Sequence, residues 1–546
     1  MQHYLERLQK QMATNWDGLA LCDYRGDSFT FGQTATEMAR FHVLFDSLGI
    51  KKGDRIAICA RNQARWGVVF LAINTYEAIV VPILADFTPE AVMKLVNHSG
   101  SIILFTDKDK ASKLEIAQMP EVKLVLNVSD FTALYVDPAF GAAYAQWDES
   151  YKAKYPDGFS IADVRYPTDN ARDIAVINYT SGSTGDPKGV MLRYECFSAN
   201  TEYGHRQEPS YPSDKLLSVL PMAHIFGMSF EMIYPLCGGT AVYYLGKAPA
   251  PSILMQALKE IRPYHFTAVP MVYEKIYNST IKPKLDKPLM KVLTKIPGIR
   301  RIIYNKVRES FDESFGGKIQ VYIMGGAAIN PEVEDFFRKI RLHFTVGYGM
   351  TESAPLIGYA KWNTFALRSC GRAMDFVQVR VDSCDPEKVV GEIQVKGINI
   401  FSGYYRNEAA TKAAFTEDGW FKTGDLGTID KQGNIYLKGR CKNLLLSSNG
   451  QNIYPEEIEP IICEQPYVQE SVVVQRGDKL VALVYLDQDA VRKDGLTRED
   501  LAELAMTIMN GANRRLPKYS ALSKVEFMDE PFIKSAKMSI KRYLYK

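Results

Sequence analysis

The sequence predicts an α/β protein. A large N-terminal domain of mostly parallel sheets with flanking helices is expected over residues 1–439, and a small C-terminal α/β domain over residues 440–546. Three observations predict it. Short apolar runs alternate with amphipathic segments through the N-terminal part, which is the signature of βαβ units. Two glycine-rich turns flank one crossover unit, Gly325-Gly326-Ala327-Ala328 and Gly347-Tyr-Gly-Met-Thr-Glu352. Past about Arg440 the texture changes to two long strand patterns followed by a helix, enough for a separate domain of about a hundred residues.

The elements follow in order. Arg55-Ile-Ala-Ile-Cys59 reads as a strand, Arg65 to Tyr76 as a helix, and Ala78-Ile-Val-Val-Pro-Ile83 as the next strand. Ile102–Thr106 and Lys123–Asn127 repeat the strand pattern. Ile174-Ala-Val-Ile-Asn178 reads as a buried strand, and Leu216–Leu220 as another. Ile319–Met324 is a strand, and Asn330 then caps a helix with Pro331 at its first position. Val333, Phe336, Phe337 and Ile340 fall on one face of that helix. Leu342–Val346 is the following strand. In the C-terminal part, Ser471–Gln475 and Leu480–Tyr485 are strands and Arg498 to Asn510 a helix.

Composition sets bounds. The 546 residues carry a net charge of +3, which gives no reason to expect a nucleic acid partner. The eight cysteines lack C-x-x-C spacing, which favours a reducing compartment and argues against zinc. The opening Met1-Gln-His-Tyr-Leu-Glu-Arg does not read as a signal peptide, and no apolar run is long enough to span a bilayer. A cytoplasmic location is expected. Between Lys275 and Lys318 stand eleven Lys/Arg and four Asp/Glu, with Leu289, Met290, Val292 and Leu293 among them. This is either a solvated helical insert or a basic amphipathic surface for peripheral contact with anionic lipid.

The stretch Tyr179-Thr-Ser-Gly-Ser-Thr-Gly-Asp-Pro-Lys-Gly189 places five hydroxyls, three glycines and one lysine after a buried strand. Glycine lets backbone N–H groups converge on an anion, hydroxyls add donors, and lysine supplies a point charge for phosphate. It is not a Walker A loop, because Lys188 stands three residues beyond Gly185 and is followed by Gly189. Ligands of open α/β sheets bind outside the carboxyl ends of the strands, where both later glycine turns fall.

Six segments in order carry a family resemblance. They are Thr180–Gly189, Pro221-Met-Ala-His-Ile-Phe-Gly227, Gly325–Ala327, Tyr348-Gly-Met-Thr-Glu352, Thr423-Gly-Asp-Leu-Gly427, and Gly439-Arg-x-Lys442 with Gly450–Glu459. The chain resembles the adenylate-forming superfamily over essentially its whole length. Gly403-Tyr-Tyr-Arg-Asn-Glu-Ala-Ala-Thr411 and Asp418–Asp425 most resemble long-chain fatty acyl-CoA synthetases. The resemblance implies ATP, Mg²⁺ and coenzyme A, and a long-chain fatty acid, activated as acyl-adenylate with loss of pyrophosphate and then passed to CoA. An acyl carrier protein as acceptor is the alternative within enzymes.

It also implies residue roles. Thr180, Ser181, Gly182, Ser183, Thr184, Gly185 and Lys188 would hold the β- and γ-phosphates, Thr351 would reach a phosphate, and Glu352 would be the metal-associated carboxylate. Gly325, Gly326 and Ala327 would face adenine, with Tyr348 as the stacking ring beside Gly349 and Met350. Asp425 would accept the ribose hydroxyls, with Arg440 near ribose or phosphate. His224 would sit beside the acyl tunnel, Gly450 where pantetheine passes, and Lys442 at the hinge of a mobile C-terminal domain. The ending departs from the family pattern Lys-Thr-x-x-Gly-Lys-Ile-x-Arg. Here Lys534-Ser-Ala-Lys-Met-Ser-Ile-Lys-Arg542 puts Ser539 at the usual catalytic lysine. In an extended strand Lys537, Ser539 and Lys541 share one face, and either lysine could substitute. A non-catalytic acyl- or nucleotide-binding homologue is the reading from a different class.

Overall fold

The computed structural model describes residues 1–180, 187–246, 251–447, 451–534 and 540–545, apart from the side chain of residue 251. By Cα proximity the chain forms two units. One is Met1–Gln378 with Lys396–Gly419, and the other is Val379–Val395 with Trp420–Lys546. The boundary expected between residues 439 and 440 thus lies within the second unit.

The first unit is built on two seven-stranded sheets. One runs Phe344–Val346, Val321–Met324, His265–Ala268, Lys215–Ser218, Ala241–Tyr244, Leu19–Asp23, Ser28–Thr30. All its pairs are parallel except the last. The other runs Ala133–Val136, Leu124–Asn127, Ile103–Thr106, Arg55–Cys59, Ile79–Pro82, Ile174–Thr180, Lys188–Arg193. Its inner pairs are parallel and its two edge pairs antiparallel. Parallel strands are covered on both faces, so they read as continuous apolar runs. Ile103–Thr106 and Leu124–Asn127 are buried at every position.

Local chemistry matches the expected elements to within a few residues. Asn330 accepts hydrogen bonds from the N–H groups of Glu332 (2.8 Å) and Val333 (3.3 Å), capping Pro331–Lys339. Val333, Phe336, Phe337 and Ile340 join one core with Phe266, Phe311, Phe315 and Tyr322. The strand expected from Ile319 begins at Val321, since Gln320 already spends its N–H on the Tyr264 carbonyl (2.7 Å) before the ladder starts. The basic stretch is helical, including Pro288–Leu293 and Pro297–Ser314. Leu289, Val292 and Ile302 are 69%, 60% and 59% exposed on it.

The second unit contains a four-stranded sheet, Val377–Asp382, Gly391–Gly397, Phe421–Ile429 and Ile435–Arg440, to which the first unit's chain contributes strand ends. It also contains Val468–Arg476, Lys479–Leu486 and Leu522–Phe527, paired antiparallel and then parallel. Pro455–Cys463 and Arg498–Asn513 pack on these strands through Ile458, Ile462, Leu504 and Ile508.

One buried carboxyl positions a functional loop. Met228–Ile233 is a π-helical turn, and Glu231 within it is fully buried. Its Oε2 accepts from Ser218 Oγ (2.9 Å), Val219 N (3.1 Å) and Leu220 N (2.9 Å). It thereby ties down the chain that leads from Lys215–Ser218 to Pro221 and His224. Burial pushes this carboxyl up to about 8, although all three donors pull it down. Tyr244 and Tyr273 beside it are held protonated by their own burial. A folded-state value above the unfolded one means the native chain holds its proton longer, so stability falls as pH climbs through that window. Between about pH 5 and 8 the wild type should lose stability relative to Glu231→Gln by up to about 1.4 kcal/mol per pH unit. Thermal melts of both proteins across that range check it; parallel curves would contradict it.

Candidate nucleotide and acyl site

The strand Ile174–Thr180 is followed by an antiparallel partner, Lys188–Arg193, with Thr180 directly opposite Lys188. Ser181, Gly182, Ser183, Thr184 and Gly185 lie outside the described residues. Lys188 extends its ammonium over the ring of Tyr404, 4.8 Å from the centroid. The Tyr404 hydroxyl donates to Glu352 Oε1 at 3.0 Å.

This arrangement is held by backbone. Gly403–Tyr405 runs against the Lys188 strand, with Met191 N–H bonded to Gly403 O (3.1 Å) and Tyr405 N–H to Gly189 O (2.7 Å). Phe401 N–H bonds to Glu352 O at 2.9 Å. Tyr404 is a residue whose role sequence reasoning missed. The signal was present in the Gly403-Tyr-Tyr-Arg motif, but its partners stand 216 and 52 positions away in the chain (404 − 188 and 404 − 352). Burial first, then the Glu352 charge and hydrogen bond, keeps the Tyr404 phenol protonated. An ammonium, a phenol and a mostly buried carboxylate thus stand in line. A single carboxylate suits Mg²⁺, which takes one or two protein carboxylates and completes its shell with water and phosphate. No cluster of three or more His, Cys, Asp or Glu suited to a metal occurs among the described residues, so a protein-only metal cage is not what these residues offer.

A second group converges on a largely apolar cavity at the carboxyl ends of the parallel strands. His224, Gly325, Gly326, Tyr348, Gly349 and Met350 all line it. They sit there because parallel strands end together. Gly325 follows Val321–Met324, and Gly347, whose N–H bonds to Met324 O (2.8 Å), follows Phe344–Val346. At Gly325 a Cβ would come within 2.9 Å of the Phe226 ring, and Gly326 has φ +83°, so this turn needs small, left-handed residues. Tyr348 and Gly349 pair with Leu356–Tyr359. Ala327 is exposed beyond the turn, and Thr351 is buried beside Glu352.

His224 caps the turn Ile225–Gly227, with Nδ1 accepting from Phe226 N at 3.3 Å. In the neutral ring that leaves the proton on Nε2, where it is a donor. The rest of the wall is mainly apolar and aromatic, with Phe226, Phe230, Tyr234 and Leu356.

The remaining residues belong to the second unit. Asp425 stands opposite Arg440 in the sheet, and Arg440 Nε contacts Asp425 Oδ1 at 2.7 Å. Lys442 is exposed in a short 3₁₀ turn. Lys541 is half-buried, its N–H bonded to Ile533 O (2.9 Å). Gly450, Lys537 and Ser539 lie outside the described residues.

A family model described as AMP-binding enzyme matches residues 8–405, and one described as AMP-binding enzyme C-terminal domain matches residues 442–545. Long chain acyl-CoA synthetase 6, peroxisomal, of Arabidopsis thaliana is 28% identical over 511 residues, covering 87% of this chain and 71% of the relative. The Long-chain-fatty-acid–[acyl-carrier-protein] ligase AEE15, chloroplastic, of the same plant is 25% identical, covering 94% and 80%. The solved structure of ATP-bound MatB from Rhodopseudomonas palustris superimposes with a TM-score of 0.78 at 24% identity over 100% of this chain and 98% of that one, and so shares its fold. The chain therefore belongs to the AMP-binding enzyme family, the adenylate-forming superfamily, where its similarity runs to long-chain acyl-CoA synthetases.

Proposed function

We propose that this protein is an acid–thiol ligase that activates a fatty acid with ATP and transfers it to coenzyme A. The observation that carries the reading is the apolar cavity with a histidine, a glycine turn and a tyrosine at the strand ends. A carboxylate is a poor acyl donor. Its attack on the α-phosphorus forms the acyl-adenylate and releases pyrophosphate; the CoA thiol then forms the thioester and releases AMP.

In this reading Lys188 leaves the Tyr404 ring for the departing phosphates, assisted by Thr180, Thr351 and residues 181–185. Glu352 would hold Mg²⁺, which would supply charge neutralisation at the phosphates. Gly325, Gly326, Ala327, Gly349 and Met350 border adenine, with Tyr348 as its stacking face. Asp425 takes the ribose hydroxyls and Arg440 a neighbouring oxygen. His224 Nε2 donates to the substrate carboxylate. Lys442 serves as the pivot of a mobile C-terminal domain, and Gly450 leaves room for pantetheine. The relatives' names support a long-chain fatty acid as substrate class, and one supports an acyl carrier protein as a second acceptor.

The experiment is AMP and pyrophosphate release over a panel of fatty acids, with and without CoA. Thioester on CoA is the expected product; thioester only on a carrier protein would replace the acceptor. Lys188→Ala should lower pyrophosphate release by about 10²-fold or more with an unchanged melting temperature; an unchanged rate would remove Lys188 from the mechanism.

The missing lysine at Ser539 gives a second test. Lys537→Ala or Lys541→Ala should cut adenylation by about 10²–10³-fold. Full rates in both would mean the amine comes from elsewhere, and no activity in the wild type would favour a non-catalytic binder.

No helix among the described residues is long and apolar enough to cross a membrane. Leu289, Val292 and Ile302, exposed among lysines and arginines, support peripheral contact of a cytoplasmic protein with anionic lipid. Leu289→Asp with Val292→Asp should abolish sedimentation with phosphatidylserine vesicles; retained binding would place the contact elsewhere.

A further inference from the structure

The inner end of the cavity is not apolar. Glu208 and His265 both line it, and Tyr359 donates its hydroxyl to Glu208 Oε1 at 2.8 Å. His265 Nε2 stands 3.9 Å from Glu208 Oε2, beyond hydrogen-bond length. That nitrogen is buried and has no hydrogen-bond partner. The ring is 2% exposed, whereas the Glu208 side chain keeps 17% of its surface. Burial holds His265 at about 3, so it is neutral, and raises the Glu208 carboxyl despite the Tyr359 hydrogen bond and the Lys361 charge. The two therefore do not form an ion pair. An unpaired polar atom in a buried wall costs stability until something pairs with it.

The register gives the depth. His265 is level with Val321 and Ala268 with Met324, directly before the Gly325 turn. The strand ends three residues on from His265, at Ala268, so His265 lies four residues, or about 13 Å at 3.3 Å per residue, inward of the Gly325 turn. An extended acyl chain covers that distance in about ten carbon–carbon bonds.

We propose that Glu208 and His265 are the specificity determinants for a hydroxylated fatty acid, whose hydroxyl lies about ten carbons from the carboxylate and bridges the gap between them. This narrows the ligase reading above and rests on it. A hydroxyl is donor and acceptor at once. It can give its proton to Glu208 Oε2 and engage His265 Nε2. A methyl end leaves His265 Nε2 unpaired, and a carboxylate end meets a second carboxyl, whose own charge the nearby Lys361 already offsets. The hydroxyl can end a medium-length chain or sit midway along a long one; the shared chemistry is the same.

The test uses the full-length protein with ATP, Mg²⁺ and CoA, and four acids: decanoate, 10-hydroxydecanoate, octadecanoate and 10-hydroxyoctadecanoate. Pyrophosphate release gives kcat/KM for each. At least one hydroxylated acid should exceed its plain counterpart by about tenfold or more, and which pair shows it tells whether the chain ends at this polar wall. Glu208→Leu and His265→Phe should each reduce that ratio, with the loss falling mainly on KM for the hydroxylated acid. Glu208→Gln, which keeps an acceptor oxygen, should restore part of it. Plain acids matching or beating both hydroxylated ones in the wild type would overturn the proposal, as would a preference that survives both Glu208→Leu and His265→Phe. If plain acids are turned over and no preference exists, only this inference falls. If no acid releases pyrophosphate, the ligase reading falls with it.

Discussion

Parallel pairing is the constraint on which the site depends. Because Lys215–Ser218, His265–Ala268, Val321–Met324 and Phe344–Val346 run the same way in register, their carboxyl ends emerge on one edge. Three loops far apart in sequence, carrying His224, Gly325 and Tyr348, then have nowhere to go but the same cavity mouth. The same register makes depth countable. Each residue back along a strand is one step of about 3.3 Å from that mouth toward the inner wall. A reversed strand in this set would carry its loop to the opposite edge and remove one wall of the cavity. The antiparallel pairs in both large sheets are confined to edge positions, where they do not disturb this ordering.

The Lys188–Tyr404–Glu352 line would, in the proposed reading, solve a problem that a polyphosphate site poses. An ammonium and a carboxylate placed together would form an ion pair, and each would have to be freed before meeting phosphate or metal. Here an aromatic ring intervenes. The cation rests on its face and the carboxylate on its hydroxyl. A cation–π contact at a partly exposed site is worth about 0.5–1 kcal/mol, little enough for a phosphate to displace it. The ring is fixed by the backbone bonds of Gly403 and Tyr405 to the Lys188 strand, so it can hold the two charges apart without being ordered anew.

What was legible in the sequence was local. Asn330 and Pro331 announced a helix start, the Val333 to Ile340 spacing announced its buried face, and glycines at strand ends announced turns; all three are matters of a few neighbouring residues. The glycine roles were legible because only a residue without Cβ tolerates the Phe226 ring against Gly325. The inner wall was not legible. Glu208, His265 and Tyr359 read as an isolated acid, a core histidine and one tyrosine among many, because their meeting depends on strand pairing across some 150 residues, the Tyr359–Glu208 separation being 151. Tyr404 was hidden for the same reason. Strand ends were misjudged where an apolar residue such as Ile319 packs on the core without joining the ladder, since hydrophobicity reports burial and not hydrogen bonding.

The C-terminal segment shows how a family position can change while its frame persists. Lys534 pairs with Glu470 on one side of residues 535–539, and Arg542 with Glu459 on the other. A backbone bridge joins Lys534 to Ile540. Glu459 is 9% exposed and held up to about 7 by burial, against the pull of Arg542. Its Oε1 also accepts the Val473 N–H at 2.7 Å, so the anchor is tied into the strand Val468–Arg476. Removing one partner of such a buried pair would leave the other uncompensated, at a cost of about 3–5 kcal/mol. The frame is therefore maintained by residues that flank the exchanged position. A lysine replaced by serine within it takes away one ammonium without loosening the ends. Lys541 lies between the bridge at Ile540 and the anchor at Arg542, with its own N–H bonded to the Ile533 carbonyl at 2.9 Å.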